Sequence, residues 1–94
     1  MNFQWNKSKA ATNLTKHGVS FEEASTVFDD PLSSVVSDPD HSIGEYRWVI
    51  TGISDQGRLL VVAFTERSDA TRIINAREAT RREARDYATY VPDY

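Results

Sequence analysis

Between Glu45 and Asn75 three β-rich runs follow one another with only short turns between them, and this crowding constrains the fold more than any other feature of the chain. Glu45 to Ile53 and Arg58 to Thr65 are dense in aromatic and β-branched residues, and Ser54-Asp55-Gln56-Gly57 between them has the composition of a hairpin turn. Thr71 to Asn75 follows Ser68-Asp69-Ala70 as a further strand. Ser33 to Ser37, β-branched at its centre, precedes the group across Asp38-Pro39-Asp40-His41-Ser42, which reads as a loop. Parallel neighbours need a crossover of a dozen or more residues, usually a helix. The connections here are too short for that, so the sheet is expected to be an antiparallel meander.

Helical signals lie on both sides of the strands. Phe3 and Trp5 alternate with Asn2 and Gln4 as in a short strand, and Asn6 then caps a helix from Lys7 to His17 that Gly18 ends in the left-handed conformation. Ser20 and Glu23 have capping-box spacing, with Val19 placed to staple onto Ala24. Phe21, Ala24, Val27 and Phe28 make the buried stripe of this second helix, and Asp30-Pro31 breaks it. At the other end, Ala76 to about Tyr90 is expected to be one helix, with Asn75 as its N-cap and Glu78 completing a second capping-box-like pair. The expected class is therefore α+β: a compact antiparallel β-meander with two N-terminal helices and one C-terminal helix packed on it. Residues 1–94 are expected to form a single domain with one core.

The chain has no cysteine, which removes disulfides, thiolate zinc sites and a cysteine nucleophile. Its longest apolar run, Leu59 to Phe64, is far short of a membrane span, and the first residues lack the layout of a signal peptide. A cytoplasmic protein without membrane attachment is expected. No Gly-rich phosphate loop, HExxH, EF-hand loop or GxSxG is present, and two distant histidines beside scattered carboxylates make no metal-ligand pattern. Neither a metal nor a cofactor is expected.

A formal net charge of -3 argues against holding nucleic acid by bulk electrostatics. The distribution is more informative. Lys7, Lys9, Lys16, Arg47 and Arg58 are outnumbered by acids up to residue 65, whereas every later cation is an arginine: Arg67, Arg72, Arg77, Arg81, Arg82 and Arg85. Arginine offers a planar fork of donors that suits phosphate and keeps its charge at any physiological pH. Within the expected last helix Arg77, Arg81 and Arg85 recur every four residues along one stripe with scarce acidic partners. That stripe either awaits an anion or extends into water. Arg82 sits four residues from both Glu78 and Asp86 and reads as a surface ion-pair ladder. Glu66-Arg67 closes the apolar strand, and Lys16-His17 ends the first helix, where cations also favour the helix dipole. Histidine can act as acid or base near neutral pH, which makes His17 a candidate, while His41 among Asp38 and Asp40 reads as a solvated loop residue. Trp5, Trp48 and most tyrosines read as core or hairpin residues; Tyr87 and Tyr90 remain open as stacking candidates.

In order and spacing, these residues resemble a known family. Phe3-x-Trp5, Lys9, Asn13, Lys16-His17-Gly18-Val19-Ser20-Phe21-Glu22-Glu23-Ala24, Val27-Phe28 and Asp30-Pro31 look like the N-terminal half of BrnT-type toxins. Gly44-Glu45-x-Arg47, Gly52, Leu59-Leu60-Val61-Val62, Thr65-Glu66-Arg67, Arg72-Ile73-Ile74-x-Ala76-Arg77, Ala79-Thr80-x-x-Glu83 and Tyr87 follow the second half. Asn75 stands where the family usually has Ser, and Glu78 where it often has Lys. The resemblance implies a RelE-like fold and a metal-independent endoribonuclease that inhibits translation as the toxin of a type II toxin-antitoxin pair. It also implies a cognate BrnA-like ribbon-helix-helix antitoxin through which operator DNA is reached. Metal-free cleavage needs a base for the ribose 2′-hydroxyl, cations for the crowded phosphate and a donor to the leaving 5′-oxygen. On this reading Arg67 and Arg77 hold the phosphate, Arg81, Arg85 and Tyr87 position RNA, and Lys16, His17 or Glu66 transfers protons. The rival reading is a catalytically inactive binding module that serves as partner or corepressor of a DNA-binding protein. The acidic net charge and the lack of an evident general base support it.

Overall fold

The computed structural model describes residues 1–38, 40 and 44–90. Along the chain run β1 (Phe3–Gln4), α1 (Lys7–His17), α2 (Phe21–Thr26) with a 3-10 turn (Val27–Asp29), β2 (Ser34–Ser37), β3 (Trp48–Ile53), β4 (Leu59–Arg67), β5 (Ala70–Glu78) and α3 (Arg81–Tyr90). The α+β class expected from the sequence is observed. The sheet order is β1-β5-β4-β3-β2, with β2 to β5 an antiparallel meander and β1 added parallel to β5, so the sheet is mixed rather than purely antiparallel. The loop expected at residues 38–42 falls partly, and His41 wholly, outside the described residues.

Local chemistry accounts for the N-terminal helices. The Asn6 side chain accepts from Lys9 N–H at 3.0 Å, and Gly18 takes φ 69° and donates to Leu14 O at 2.9 Å, so α1 begins and ends where the capping residues require. Ser20 Oγ accepts from Glu23 N–H at 3.0 Å to start α2. Val19, Phe21, Ala24 and Val27 then pack onto Ile50, Leu60, Val62, Phe64, Ile73 and Ala76 of the sheet. A bulge opposite Ala63 and Phe64 lets this core close. Ile73 pairs with Phe64 and Ala76 with Val62, so residues three apart on β5 share the helix-covered face, which regular alternation forbids.

The C-terminal third departs from the sequence-based expectation. Residues 76–78 are strand, not helix: β5 continues to Glu78 because Val61 and Leu60 of the long apolar β4 pair with Arg77 and Glu78. The helix starts at Arg81, and its capping box is Thr80-x-x-Glu83, with Glu83 N–H donating to Thr80 Oγ1 at 3.2 Å and Thr80 N–H donating to Glu83 Oε1 at 2.9 Å. Asn75 and Glu78 are strand residues and cap nothing. Non-local strand pairing overrides a helical pattern that is locally acceptable.

α3 lies on the face away from α1 and α2. Glu83, Asp86 and Tyr87 line a cavity of about 120 Å³ with Ser34 and Thr51, which share that face with Val61 and Arg77. Tyr87 Oη donates to Asp30 Oδ2 at 2.7 Å, and Asp30 also accepts from Ile53 and Leu32 N–H at 2.8 and 2.9 Å. Gly52 makes room for this carboxylate, since a Cβ there would stand 3.0 Å from Asp30 Oδ2 and from Val27 Cγ1.

Candidate nucleic-acid cleavage site

The free edge of β5 organises the site. β1 pairs with Thr71 and Arg72, and among the described residues no strand pairs with this edge from Ile74 onward. Unpaired backbone groups at a buried edge need partners. Asn13 of α1 supplies them: its Nδ2 donates to Ala76 O at 2.8 Å and to Val19 O at 2.9 Å, and its Oδ1 accepts from Ala76 N–H at 3.1 Å. The amide side chain thus imitates one residue of a missing strand and fixes α1 against β5. Asn13 is 6 % exposed, and helical spacing brings Lys9, Thr12 and Lys16 onto its face of α1.

Between that face and the β5 edge runs a groove of about 500 Å³ lined by Ser8, Lys9, Thr12, Asn13, Lys16, His17, Ile74, Asn75 and Arg77. Lys9 and Lys16 are about 10 Å apart along the helix. At Asn75 and Arg77 the groove meets a second cavity, of about 380 Å³, on the sheet face away from α1. Its floor includes Val49, Val61 and Ala63, and Arg47, Asp38 and Glu83 stand on its walls.

Arg77 sits where the two cavities meet. Its Nη1 donates to Glu83 Oε1 at 2.7 Å and to Glu78 O at 3.2 Å, and its Nη2 donates to Glu83 Oε2 at 2.9 Å. The Arg77 side chain is 40 % exposed and that of Glu83 33 %. The Arg77 hydrogen bonds, reinforced by Thr80 N–H against the cost of burial, bring the Glu83 carboxyl down to about 2. The same bonds raise the guanidinium above its ordinary value. Glu83 is therefore far too weak a base to take a proton near neutrality.

Of the candidates read from the sequence, the structure brings together Lys16, His17 and Arg77. It does not bring Arg67 to them: Arg77 pairs with Val61, and Arg67 lies six residues further along β4, about 20 Å away. Arg67 instead meets Glu45 at 3.2 Å on the surface, and the Glu66 carboxylate accepts from Thr71 Oγ1 at 3.1 Å. The expected stripe of Arg77, Arg81 and Arg85 does not exist, because Arg77 is in a strand and the other two are exposed on α3. Arg77 also has an acidic partner, Glu83, where the helical reading found such partners scarce. The Arg82 ladder loses Glu78, which is in β5, and keeps only Asp86 at helical spacing. Tyr87 is held by Asp30; burial, then that carboxylate, raises its hydroxyl to about 12. Lys9, Asn75 and Glu83 line the two cavities, and the sequence alone does not single them out as site residues. Lys9 stands one helical turn before Asn13 and two before Lys16, a spacing that could have marked it.

Residues 5–83 match the family model described as the ribonuclease toxin BrnT of type II toxin-antitoxin systems. No curated protein matches the chain. Among solved structures, the 1.1 Å crystal structure of the Brucella abortus ribonuclease toxin BrnT is similar, with a TM-score of 0.68 and 23% identity over 86% of this chain and 99% of that one. This likeness bears on the fold. Among the described residues no helix is long and apolar enough to cross a membrane.

Proposed function

The chain belongs to the BrnT family of ribonuclease toxins of type II toxin-antitoxin systems, and from that premise we propose that RNA is bound and cut in the groove between α1 and the free edge of β5. The observation that carries this reading is the convergence of Lys9, Lys16, His17 and Arg77 on one open groove in a chain of net charge -3. Local concentration of cations, not overall charge, marks the place for a phosphodiester.

In the proposed reaction the ribose 2′-oxygen attacks phosphorus, the bond from phosphorus to the 5′-oxygen breaks, and a 2′,3′-cyclic phosphate remains. The 2′-hydroxyl proton passes to a base, and the 5′-oxygen receives one as it leaves. Arg77 and the lysines stabilise the charge that builds on the phosphoryl oxygens. His17, at the end of α1, and Lys16 are the proton-transfer candidates within the groove. Arg81 and Arg85 are exposed on α3, outside the groove, and in this proposal they position RNA beyond it. Cleavage without a metal is part of the proposal: the charged groups lining the groove are cations, and among the described residues no three His, Cys, Asp or Glu side chains gather.

The cellular reading follows the family. Cleavage in the cytoplasm inhibits translation until a ribbon-helix-helix antitoxin covers the arginine-bearing surface, and operator DNA is reached only through that antitoxin. The test is incubation of the purified chain with RNA in EDTA, with the termini analysed, alongside inducible expression with and without the neighbouring gene. Cyclic phosphate ends and growth arrest relieved by the neighbour are expected. Intact RNA together with normal growth at verified expression would overturn the reading.

A further inference from the structure

A guanidinium carries five N–H donors: one on Nε and two on each terminal nitrogen. At Arg77 both Nη1 protons are engaged, by Glu83 Oε1 and Glu78 O, and one Nη2 proton by Glu83 Oε2. The Nε proton and the second Nη2 proton, which point the same way along one side of the group, have no partner among the described residues. That side is a complete two-donor edge, the arrangement that receives two oxygens of a phosphate in parallel. Glu83 reaches the arginine from the sheet-face cavity and is absent from the walls of the α1 groove, so Arg77 stands between its carboxylate partner and the groove.

Resting on the groove being the RNA site, we propose that Glu83 is a positioning residue that grips Arg77 by its terminal edge and presents the Nε/Nη2 edge to a phosphoryl group. The same carboxylate accepts from Thr80 N–H, so the first turn of α3 and the aim of Arg77 are set by one side chain. A lone arginine on a strand has several rotamers; a bidentate carboxylate reduces them to one plane before the anion arrives. Glu83 touches neither substrate nor reacting atoms and acts only through Arg77.

Two measurements test this. In the intact chain, nitrogen-15 spectra of arginine Nε–H groups are followed while inorganic phosphate is added, with Arg77→Lys to assign the signal. The Arg77 Nε–H signal is expected to move, while that of Arg58, whose Nε already donates to Glu23 at 2.9 Å, stays still. An unmoved Arg77 signal, or equal movement of both, overturns the proposal. This arm needs no cleavage, so it decides the matter even if the chain fails to cut RNA, a result that would sink the functional reading alone. For RNA cleavage, Glu83→Gln is compared with Thr80→Ala, which removes the helix cap but leaves the carboxylate pair. Glu83→Gln should lower kcat roughly ten- to a hundredfold with little change in KM, while Thr80→Ala stays within about threefold of wild type. Equal losses in the two variants would show that only the integrity of α3 matters, and the positioning role would be wrong.

Discussion

Two arginine–glutamate pairs lie at opposite sides of β5, and they use opposite edges of the same functional group. Arg58 gives its Nε to Glu23 Oε2 at 2.9 Å and its Nη2 to Glu23 Oε1 and to Gly18 O. Its remaining nitrogen faces Glu78 Oε1 at 3.8 Å. That guanidinium is spent on the fold: it joins the start of β4 to α2 and to the end of α1. Glu23 is 3 % exposed, and Ser54 Oγ donates to it at 2.7 Å, so the pair also anchors the hairpin turn. Arg77 engages Glu83 by the other edge, in a more open place, and among the described residues its side edge has no partner. The difference teaches that a salt bridge does not by itself mark an arginine as structural; the edge it leaves over decides what else it can do.

The largest expected effect falls on the Glu23 side. Arg58→Ala strands a carboxylate that has left water almost completely, and losing one partner of such a pair costs about 3–5 kcal/mol. Urea unfolding should show that loss, with cleavage by the remaining folded protein unchanged. Arg77→Ala should show the reverse: a fall in cleavage of about 10²–10³-fold, as for removal of a donor to transition-state charge. Its stability cost should stay within about 1 kcal/mol, since Glu83 is left partly hydrated. Arg67→Ala is the control, because its pair with Glu45 is exposed and its position is remote from Arg77. Cleavage within about threefold of wild type is expected there, the exposed pair being worth under about 1 kcal/mol. If Arg58→Ala proves nearly neutral to folding while Arg77→Ala unfolds the chain, the contrast between the two pairs is inverted and fails.

Much of the scaffold was legible in the residues. The caps of α1 and α2, the hairpin turn and the apolar β4 are short-range features, and each is decided within a few neighbours in sequence. What could not be read is decided at long range. Arg77 reads locally as the first turn of the last helix, and only its pairing with Val61 of β4 makes it strand; the bulge beside Ala63 has no local signature. Asn13 looks like any polar helix residue until its amide is seen against Ala76, 63 positions away. The same holds for Glu23, which in sequence reads as half of a capping box. Its backbone does that work, and its carboxylate waits for Arg58. Lys16 and His17 were candidates on chemistry alone, but only the docking of α1 on β5 puts them in one groove with Arg77.

Acid separates the two pairs by a smaller margin. Both carboxyls lie below the ordinary glutamate value, Glu23 chiefly through the Arg58 hydrogen bond and Glu83 through that of Arg77, which takes it from 4.5 to about 2. A carboxyl with a depressed folded value contributes stability above the unfolded value, and loses it as pH falls towards the folded one. For Glu83 that window runs from about pH 4.5 down to about 2. Comparing urea midpoints of wild type and Glu83→Gln cancels every other group, Glu23 included, and leaves this pair alone. Wild type should lose more than half of its advantage between pH 5 and pH 3 and the remainder below that, and the total should be only about 1 kcal/mol, because water screens a carboxylate that is one-third exposed. Raising the salt to about 1 M at pH 7 should shrink the same advantage, since the Debye length is then only about 3 Å. The salt sensitivity of Arg58→Ala relative to wild type should be weaker, its carboxylate partner being out of reach of ions. A Glu83 difference that is flat from pH 5 to pH 3 and indifferent to salt would mean that the pair contributes nothing to folding, leaving the orientation of Arg77 as its whole effect.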